Sequence, residues 1–230
     1  MKFGAALPTC AEGAGYPIGF APPDVLATIA ERAEALGFHA VMANDHLSTP
    51  NSIRRTFDRP PNFYEPLTVL AYCAARTDRI KLMTGAVVLS IREPVLLAKQ
   101  VTTLDHCCDG RLIVGVAAGA HREEFEAVRP ELRHASRADL LDEGVQALRA
   151  LLGRRRTSFH GRYYRFEDVE LYPKVKQPRP PWGGRRPRRR SASRPPRSRR
   201  IGPRWACRVW CSRATPSPKC WTRWRSSAAR

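Results

Sequence analysis

The chain has 230 residues and a formal charge of +19, but this charge is unevenly distributed. Residues 183–230 contain 15 Arg and one Lys and no acidic residue, which leaves 24 basic and 21 acidic residues in 1–182. This near-balance argues against a nucleic-acid-binding surface in residues 1–182. No window reaches the roughly 18 apolar residues of a membrane span. The N terminus predicts no secretory signal, and the seven Cys follow no disulfide spacing, so we expect a cytoplasmic protein.

Strand-like and helix-like segments alternate along residues 1–182. The predicted strands cover residues 3–7, 39–42, 80–89 and 111–117. The predicted helices cover residues 23–36 and 66–76, and two more begin near Pro94 and Ser136. The Ser136-x-x-Asp139 pattern resembles a capping box, and Gly153 is the expected C-terminal cap of that last helix. Residues 157–172 predict a small β excursion around a turn at Gly161.

Alternation of strands and helices with short connections predicts a parallel sheet with right-handed crossovers. An open doubly wound sheet and a closed barrel both satisfy this pattern. The first strand is followed by the sequence LPTC at 7–10, which lacks a glycine-rich phosphate loop and so favours the barrel. We therefore predict an α/β fold: an incomplete TIM (β/α)8 barrel with about four N-terminal βα units, followed by a basic tail.

Seven sequence motifs, in order along the chain, carry a resemblance to a known family. They are AEALGFHAVMANDHL at 33–47, DRIKLMTGAVVL at 78–89, REPVLLAKQ at 92–100, GRLIVGV at 110–116, EEFEA at 123–127, GRYY at 161–164 and QPRPP at 177–181. Together they resemble the N-terminal half of a luciferase-like monooxygenase over about 180 residues. Met42 departs from the pattern, because relatives often have Trp there.

The resemblance implies a flavin- or deazaflavin-dependent oxidoreductase that acts on a small organic substrate. The coenzyme ring would lie at the C-terminal mouth of the barrel. The Asp45–His46 pair follows the second strand and favours coenzyme F420, with FMN as the alternative. By resemblance, His46 would hydrogen-bond near the reactive ring position or shuttle a proton, with Asp45 beside it. The alternative is that both residues cap the strand and its loop.

The segment Thr84-Gly85-Ala86 matches the place where relatives have a bulge with a cis peptide bond behind the ring. By resemblance, these three residues bind the cofactor, and the Gly85–Ala86 bond is the predicted cis bond. The alternative is an ordinary buried strand with small residues for packing. Leu7, at the end of the first strand, is a further candidate for the lining of the same pocket.

Other polar residues are interpreted as structural. Asp105 and Arg111 are expected to fix a helix-to-strand turn through hydrogen bonds. The scattered His residues lack metal-ligand spacing, and Cys207, Cys211 and Cys220 lack a fourth ligand, so we predict no metal site.

Composition changes near Trp182, and residues 183–230 lose all hydrophobic periodicity. We predict a folded domain over 1–182 and a disordered tail over 183–230. The Arg, Pro, Ser and Trp content of this tail is typical of a GC-rich gene translated out of frame. The rival hypothesis is a tail that binds nucleic acid through Arg and Trp.

Two kinds of protein therefore fit the sequence: a luciferase-like oxidoreductase, and a non-catalytic half-barrel fragment or interaction protein. Barrels of this kind commonly seat phosphate groups after strands seven and eight. We therefore expect this chain by itself to bind its coenzyme poorly. A homodimer is an assembly that the resemblance allows.

Overall fold

Four parallel strands form one sheet in the order in which they occur in the chain. A computed structural model describes residues 2–10, 12 and 16–177. The strands are β1 (Gly4–Ala6), β2 (Ala40–Ala43), β3 (Lys81–Val88) and β4 (Leu112–Ala117). Their spatial order is β1-β2-β3-β4, and every neighbouring pair is parallel.

The helices that connect the strands begin with recognisable caps. They are α1 (Pro23–Ala35), α2 (Asn51–Thr56), α3 (Pro66–Ala74), α4 (Pro94–Cys107), α5 (Arg122–Val128) and α6 (Arg137–Gly153). Both α3 and α4 follow a Glu-Pro pair in which the Glu side chain accepts a hydrogen bond from the first turn. Ser136 caps α6 by accepting from the Asp139 N–H at 3.3 Å, as predicted. Gly153 is the last residue of α6 and not its cap.

The long helices pack side by side in chain order, α1 against α3, α3 against α4 and α4 against α6. Strands that follow one another without a reversal, with successive helices adjacent, are typical of a barrel. A doubly wound sheet reverses its strand order and covers both faces with helices. The described residues therefore have the winding of a (β/α) barrel, and the predicted fold class is confirmed.

The two faces of the sheet differ in burial. One face packs on the helices and contributes Val41, Leu82 and Leu112 to the core. On the other face, the register aligns Ala6, Met42, Met83 and Ile113 across all four strands, and each of these residues is partly or fully exposed. We call this second surface the concave face, since it corresponds to the interior of a barrel of this winding.

The predicted β excursion is an antiparallel hairpin of β5 (Arg156–His160) and β6 (Arg165–Glu170). Glu143 of α6 accepts hydrogen bonds from the backbone N–H groups of Arg162, Tyr163 and Tyr164. A side chain at Gly161 would collide with this carboxylate, so the turn needs glycine there. The hairpin is thus anchored to the outer layer of helices.

Asp105 and Arg111 are both buried and structural, as predicted, but they act on different segments. Arg111 donates to the carbonyls of Ala74, Ile80 and Cys108 and to the Thr77 hydroxyl, at 2.8–3.2 Å. Asp105 accepts from Gln177 and from the Lys176 backbone N–H, so it fixes the chain beside the beginning of β4.

Two helices were not predicted from the sequence: α2 buries no residue, and α5 buries Glu124 and Phe125. No helix in the described part of the chain is long and apolar enough to cross a membrane. The predicted boundary at Trp182, the tail and its three Cys lie outside the described residues.

Candidate active site

The four strands end at the same edge of the sheet, and the segments that follow them contain several buried polar groups. Thr9 follows β1, the Asp45–His46 pair follows β2, Ser90 follows β3, and Glu124 lies just beyond β4. The Thr9 hydroxyl accepts a hydrogen bond from the Asn44 N–H at 3.0 Å and so joins the first two segments. This edge is the place where barrel enzymes have their active sites.

Asp45 is fully buried, and both of its carboxylate oxygens are used. Arg92 donates to Oδ1 at 2.7 Å and to Oδ2 at 3.1 Å, and the Val88 N–H donates to Oδ2 at 2.8 Å. The second carboxylate near Arg92 belongs to Glu65, 3.1 Å from the guanidinium. These contacts support a positioning role for Asp45, which ties β2 to the end of β3. A catalytic role for Asp45 stays a prediction.

Burial lowers the pKa of Arg92. The hydrogen bond and charge of Asp45, together with the charge of Glu65, raise this pKa by more than burial lowers it. The net pKa therefore lies above the usual arginine value, and the guanidinium stays charged. A charged guanidinium held bidentately gives the Asp45 side chain one fixed orientation.

His46 has a different environment, because its side chain reaches the surface. Its Nδ1 lies 3.0 Å from Oε2 of Glu124 in α5, with side-chain exposures of 21% for His46 and 3% for Glu124. The rings of Phe63 and His121 flank the imidazole, each with its centroid 5.4 Å away. The Nε2 atom makes no hydrogen bond to a described residue. The His46 ring therefore has one nitrogen held by Glu124 and one nitrogen available.

Glu124 also joins His46 to the loop that follows it. Its Oε1 accepts hydrogen bonds from the backbone N–H groups of Leu47 at 2.6 Å and Ser48 at 3.2 Å. Burial raises the pKa of Glu124, but the hydrogen bond and charge of His46 and these two backbone donors lower it more. The net pKa is below the usual glutamate value, so the group is a carboxylate at neutral pH.

Cys10 lies near this charge cluster, and its burial disfavours the thiolate form. Burial raises the pKa of its thiol to about 12; a hydrogen bond with Thr9 lowers it, and the charges of Asp45 and Glu124 add to the increase. A thiol with such a pKa is protonated at neutral pH, and only the thiolate is reactive.

The Thr84-Gly85-Ala86 segment forms an irregularity in β3, as the resemblance implied. The register between β3 and β4 shifts between Thr84 and Val87, and the Gly85–Ala86 peptide bond is cis. The buried Thr84 hydroxyl donates to the Gly115 carbonyl at 2.8 Å and accepts from the Gly115 N–H at 2.9 Å. The Thr84 side chain therefore holds the bulge against β4 and has no atom left for a ligand.

Gly85 and Ala86 are partly exposed on the concave face. A side chain at Gly115 would lie 3.7 Å from the Ala86 Cβ and 2.5 Å from the Thr84 carbonyl oxygen, so this position needs glycine. A side chain at Gly85 would collide with Met42, the residue that departs from the family pattern. The Met42 side chain thus packs over Gly85, and Ala86 and Gly115 provide the small side of an apolar surface just below the C-terminal edge.

The structure does not support the prediction for Leu7. Its side chain is 2% exposed and belongs to the hydrophobic core between sheet and helices, away from the concave face. The reason is strand alternation, since Ala6 faces the concave side and its neighbour must face the helices.

Sequence reasoning missed the partners that give the site its geometry, namely Arg92, Glu65, His121 and the role of Glu124. Arg92 and Glu124 were noted only as parts of motifs, although both lie next to Glu residues at helix beginnings.

Two grooves, of about 310 and 460 Å³, lie at the opposite edge and contain no residue of the site.

Comparisons with known proteins agree with this geometry. A family profile described as luciferase-like monooxygenase matches residues 1–190. The FMNH2-dependent dimethylsulfone monooxygenase of Pseudomonas putida is 35% identical over 121 residues, which are 52% of this chain and 33% of the relative. The solved structure of monooxygenase RslO1 from Streptomyces bottropensis matches with a TM-score of 0.61 and 30% identity, over 77% of this chain and 51% of the other.

An F420-dependent secondary alcohol dehydrogenase matches with a TM-score of 0.59 and 21% identity, over 77% of this chain and 50% of its own, which supports the fold alone. The chain thus spans about a third of the curated relative and about half of the two solved proteins. The profile covers most of the chain, and the winding of the sheet agrees with it. This chain belongs to the luciferase-like monooxygenase family.

Proposed function

We propose that the C-terminal edge and the concave face take the redox-active ring of a flavin or deazaflavin coenzyme for the oxidation or reduction of a small organic substrate. The single observation that carries this proposal is the juxtaposition of a low apolar surface with a polar rim. Ala86, Gly115 and the Met42 side chain that packs over Gly85 provide the surface, and His46, beyond the end of β2, provides an available nitrogen. A flat aromatic ring with polar groups at its periphery fits such a surface.

The chain contributes orientation and a proton-handling group. The small side chain of Ala86 and the absence of one at Gly115 allow a planar group to lie on the concave face beside Met42. His46, fixed by Glu124, has its Nε2 free to accept or donate a proton at the mouth. A bound flavin or deazaflavin supplies the hydride or oxygen chemistry itself.

Two coenzymes fit this proposal, each supported by one observation. The Asp45–His46 pair favours F420, and the relative with 35% identity over 121 residues is FMNH2-dependent. Both coenzymes have the same tricyclic shape, so the concave face alone fits either of them. Measuring the affinity of the chain for a flavin ring and for a deazaflavin ring chooses between the two coenzymes.

The experiment is a fluorescence titration of the 230-residue chain with riboflavin and, in parallel, with its 5-deaza analogue. Neither ligand carries phosphate, so the titration isolates the ring. We expect saturable quenching with a Kd of about 0.1–1 mM, equivalent to about −5.5 to −4.1 kcal/mol. This weak affinity agrees with the poor coenzyme binding predicted from the sequence.

The Ala86→Trp variant places a large ring on the concave face and should weaken binding at least about tenfold, about 1.4 kcal/mol. The matched control is Ala75→Trp, on the exposed end of α3. Linear, unsaturable quenching, or equal binding by the two variants, would overturn the proposal.

The nucleic-acid alternative depends on the 16 basic residues of 183–230, which lie outside the described residues. It predicts binding of a single-stranded oligonucleotide that weakens steeply with salt and is lost on removal of 183–230. Reading the gene in its other frames separates this hypothesis from the out-of-frame hypothesis.

A further inference from the structure

We infer that Glu124 is a positioning residue that fixes His46 as the Nδ1–H tautomer and leaves the Nε2 lone pair available at the mouth of the site. This inference rests on the proposed function and deepens it, because it assigns a defined tautomer to the group proposed to handle the proton. The geometry that carries it is the contact between Nδ1 of His46 and a carboxylate oxygen of Glu124 at 3.0 Å.

The other contacts of Glu124 make its role as an acceptor clear. Its second oxygen receives two backbone N–H donors, from Leu47 and Ser48, so three groups converge on one buried carboxylate. An ionised carboxylate only accepts hydrogen bonds. The Nδ1 atom must therefore carry the proton in this contact, and a neutral imidazole then has its lone pair on Nε2.

Two aromatic neighbours limit the rotation of the imidazole. The Phe63 and His121 rings both lie against it, each with a centroid distance of 5.4 Å and with tilts of 39° and 51°. The other ionisable groups near the His46–Glu124 pair have partners of their own or are neutral. His121 lies 3.5 Å from Glu123, Asp45 is paired with Arg92, and Cys10 is a protonated thiol at neutral pH. Glu124 is the carboxylate that contacts the His46 ring.

A merely structural role for Glu124 would consist of binding the Leu47 and Ser48 backbone and stabilising that loop. Such a role requires an acceptor oxygen but no particular tautomer at His46. The isosteric Glu124→Gln variant separates the two roles. Its amide oxygen can still accept from the loop, while its NH2 group faces His46 and can only donate. In such carboxylate–histidine pairs the amide leaves the geometry intact and gives the wrong tautomer.

The test is 15N-detected NMR of the histidine rings in the full chain, with the His46 signals assigned by their loss in His46→Asn. At a pH about two units above the ordinary imidazole pKa, the rings are neutral. The 15N shifts of the two ring nitrogens then show which nitrogen carries the proton. In the wild type we expect a pyrrole-like shift at Nδ1 and a pyridine-like shift at Nε2. In Glu124→Gln the two shifts should exchange, with Nε2 pyrrole-like.

The matched control is Glu123→Gln, which changes the neighbouring carboxylate and should leave both His46 shifts unchanged. A wild-type His46 with a pyrrole-like Nε2 would overturn the inference without any variant, and so would unchanged shifts in a folded Glu124→Gln protein. The measurement needs no coenzyme. A correct tautomer in a chain that fails to bind the ring would therefore contradict the proposed function and leave this inference intact.

Discussion

The two edges of the parallel sheet both contain buried charged side chains, but the edges differ in whether every polar atom of the network has a hydrogen-bond partner. At the N-terminal edge, Arg111 makes four hydrogen bonds to neutral groups and holds α3, β3 and β4 together. At the C-terminal edge, Asp45 is held by Arg92 and the Val88 N–H, whereas Glu124 pairs with His46, whose second nitrogen has no partner among the described residues. Saturated polar groups stabilise, and an unsaturated one can react.

This comparison separates candidates for function better than burial does. Asp45, Asp105, Arg111 and Glu124 are all buried, and burial alone would rank them together. Counting hydrogen bonds instead separates these four saturated groups from His46, because a saturated group has no atom left for a substrate and the His46 Nε2 has no described partner. The predictions below test whether each edge behaves as this count indicates.

The largest effect is expected for Arg111→Met at the N-terminal edge. This change removes the guanidinium donors of the Ala74 and Ile80 carbonyls and of the Thr77 hydroxyl, while the Cys108 carbonyl keeps the backbone N–H of residue 111. Each unsatisfied buried group costs about 1–3 kcal/mol, so the free energy of unfolding should fall by about 3–5 kcal/mol. Urea unfolding followed by circular dichroism measures the loss. A loss below about 1 kcal/mol would show that Arg111 does not hold this edge together.

A smaller but substantial loss is expected for Asp45→Asn at the C-terminal edge. Removing one partner of a buried ion pair typically costs about 3–5 kcal/mol. Here the cost should be about 2–3 kcal/mol, because Glu65 still neutralises Arg92. The control is Glu126→Gln, which breaks an exposed helix pair with Arg122 and should cost at most about 0.5 kcal/mol. Equal losses in the two variants would contradict the interpretation of Asp45 as a buried anchor.

Next in size is the effect of Thr84→Val, which keeps the shape of the side chain and removes both hydrogen bonds to Gly115. We expect a loss of about 1–2 kcal/mol in the free energy of unfolding and weaker binding of riboflavin, because the bulge is no longer held to β4. Thermal unfolding and the fluorescence titration are measured on the same sample. Unchanged ring affinity in this variant would separate the bulge from the coenzyme site.

The smallest effect concerns pH. The folded-state pKa of Glu124 lies below its ordinary value of 4.5, so its contribution to stability is complete above pH 4.5 and is lost as the pH falls through the folded pKa. Glu124→Gln lacks this term. We expect it to be less stable than the wild type by about 1 kcal/mol at pH 7, the difference between charged and neutral hydrogen bonds. The two proteins should become similar in acid.

Urea unfolding of wild type and Glu124→Gln at pH 7 and below pH 4 tests this sign. A stability difference that grows on acidification would mean that Glu124 is destabilised as a carboxylate, and its assigned contacts would be wrong.

Much of the fold could be predicted because the sequence patterns that mark its helices and strands lie within a few neighbouring residues. The Glu-Pro pairs and Ser136 mark helix beginnings within a few residues, and the apolar strands are continuous. The missed helix α2 has no buried residue, so it has no apolar periodicity to detect. The register of the sheet decides that Leu7 faces the helices and Ala6 does not, and a three-residue strand is too short to show this alternation.

The site was predicted only in part because its contacts join distant segments. Asp45 meets Arg92 across 47 residues, and His46 meets Glu124 across 78. No spacing rule links residues so far apart. The motifs around 45–46 and 84–86 came from family resemblance, whereas the partners that fix their orientation required the fold.

The most direct test of the central claim maps ring binding by NMR on the full chain, with labelled methyl groups and histidines. On addition of riboflavin, the account predicts shift changes at the Ala86 and Met83 methyls and at the His46 ring, and none at Ala75 near the opposite edge. Changes confined to the N-terminal edge, or no change at Ala86 and His46 at a saturating concentration, would contradict it.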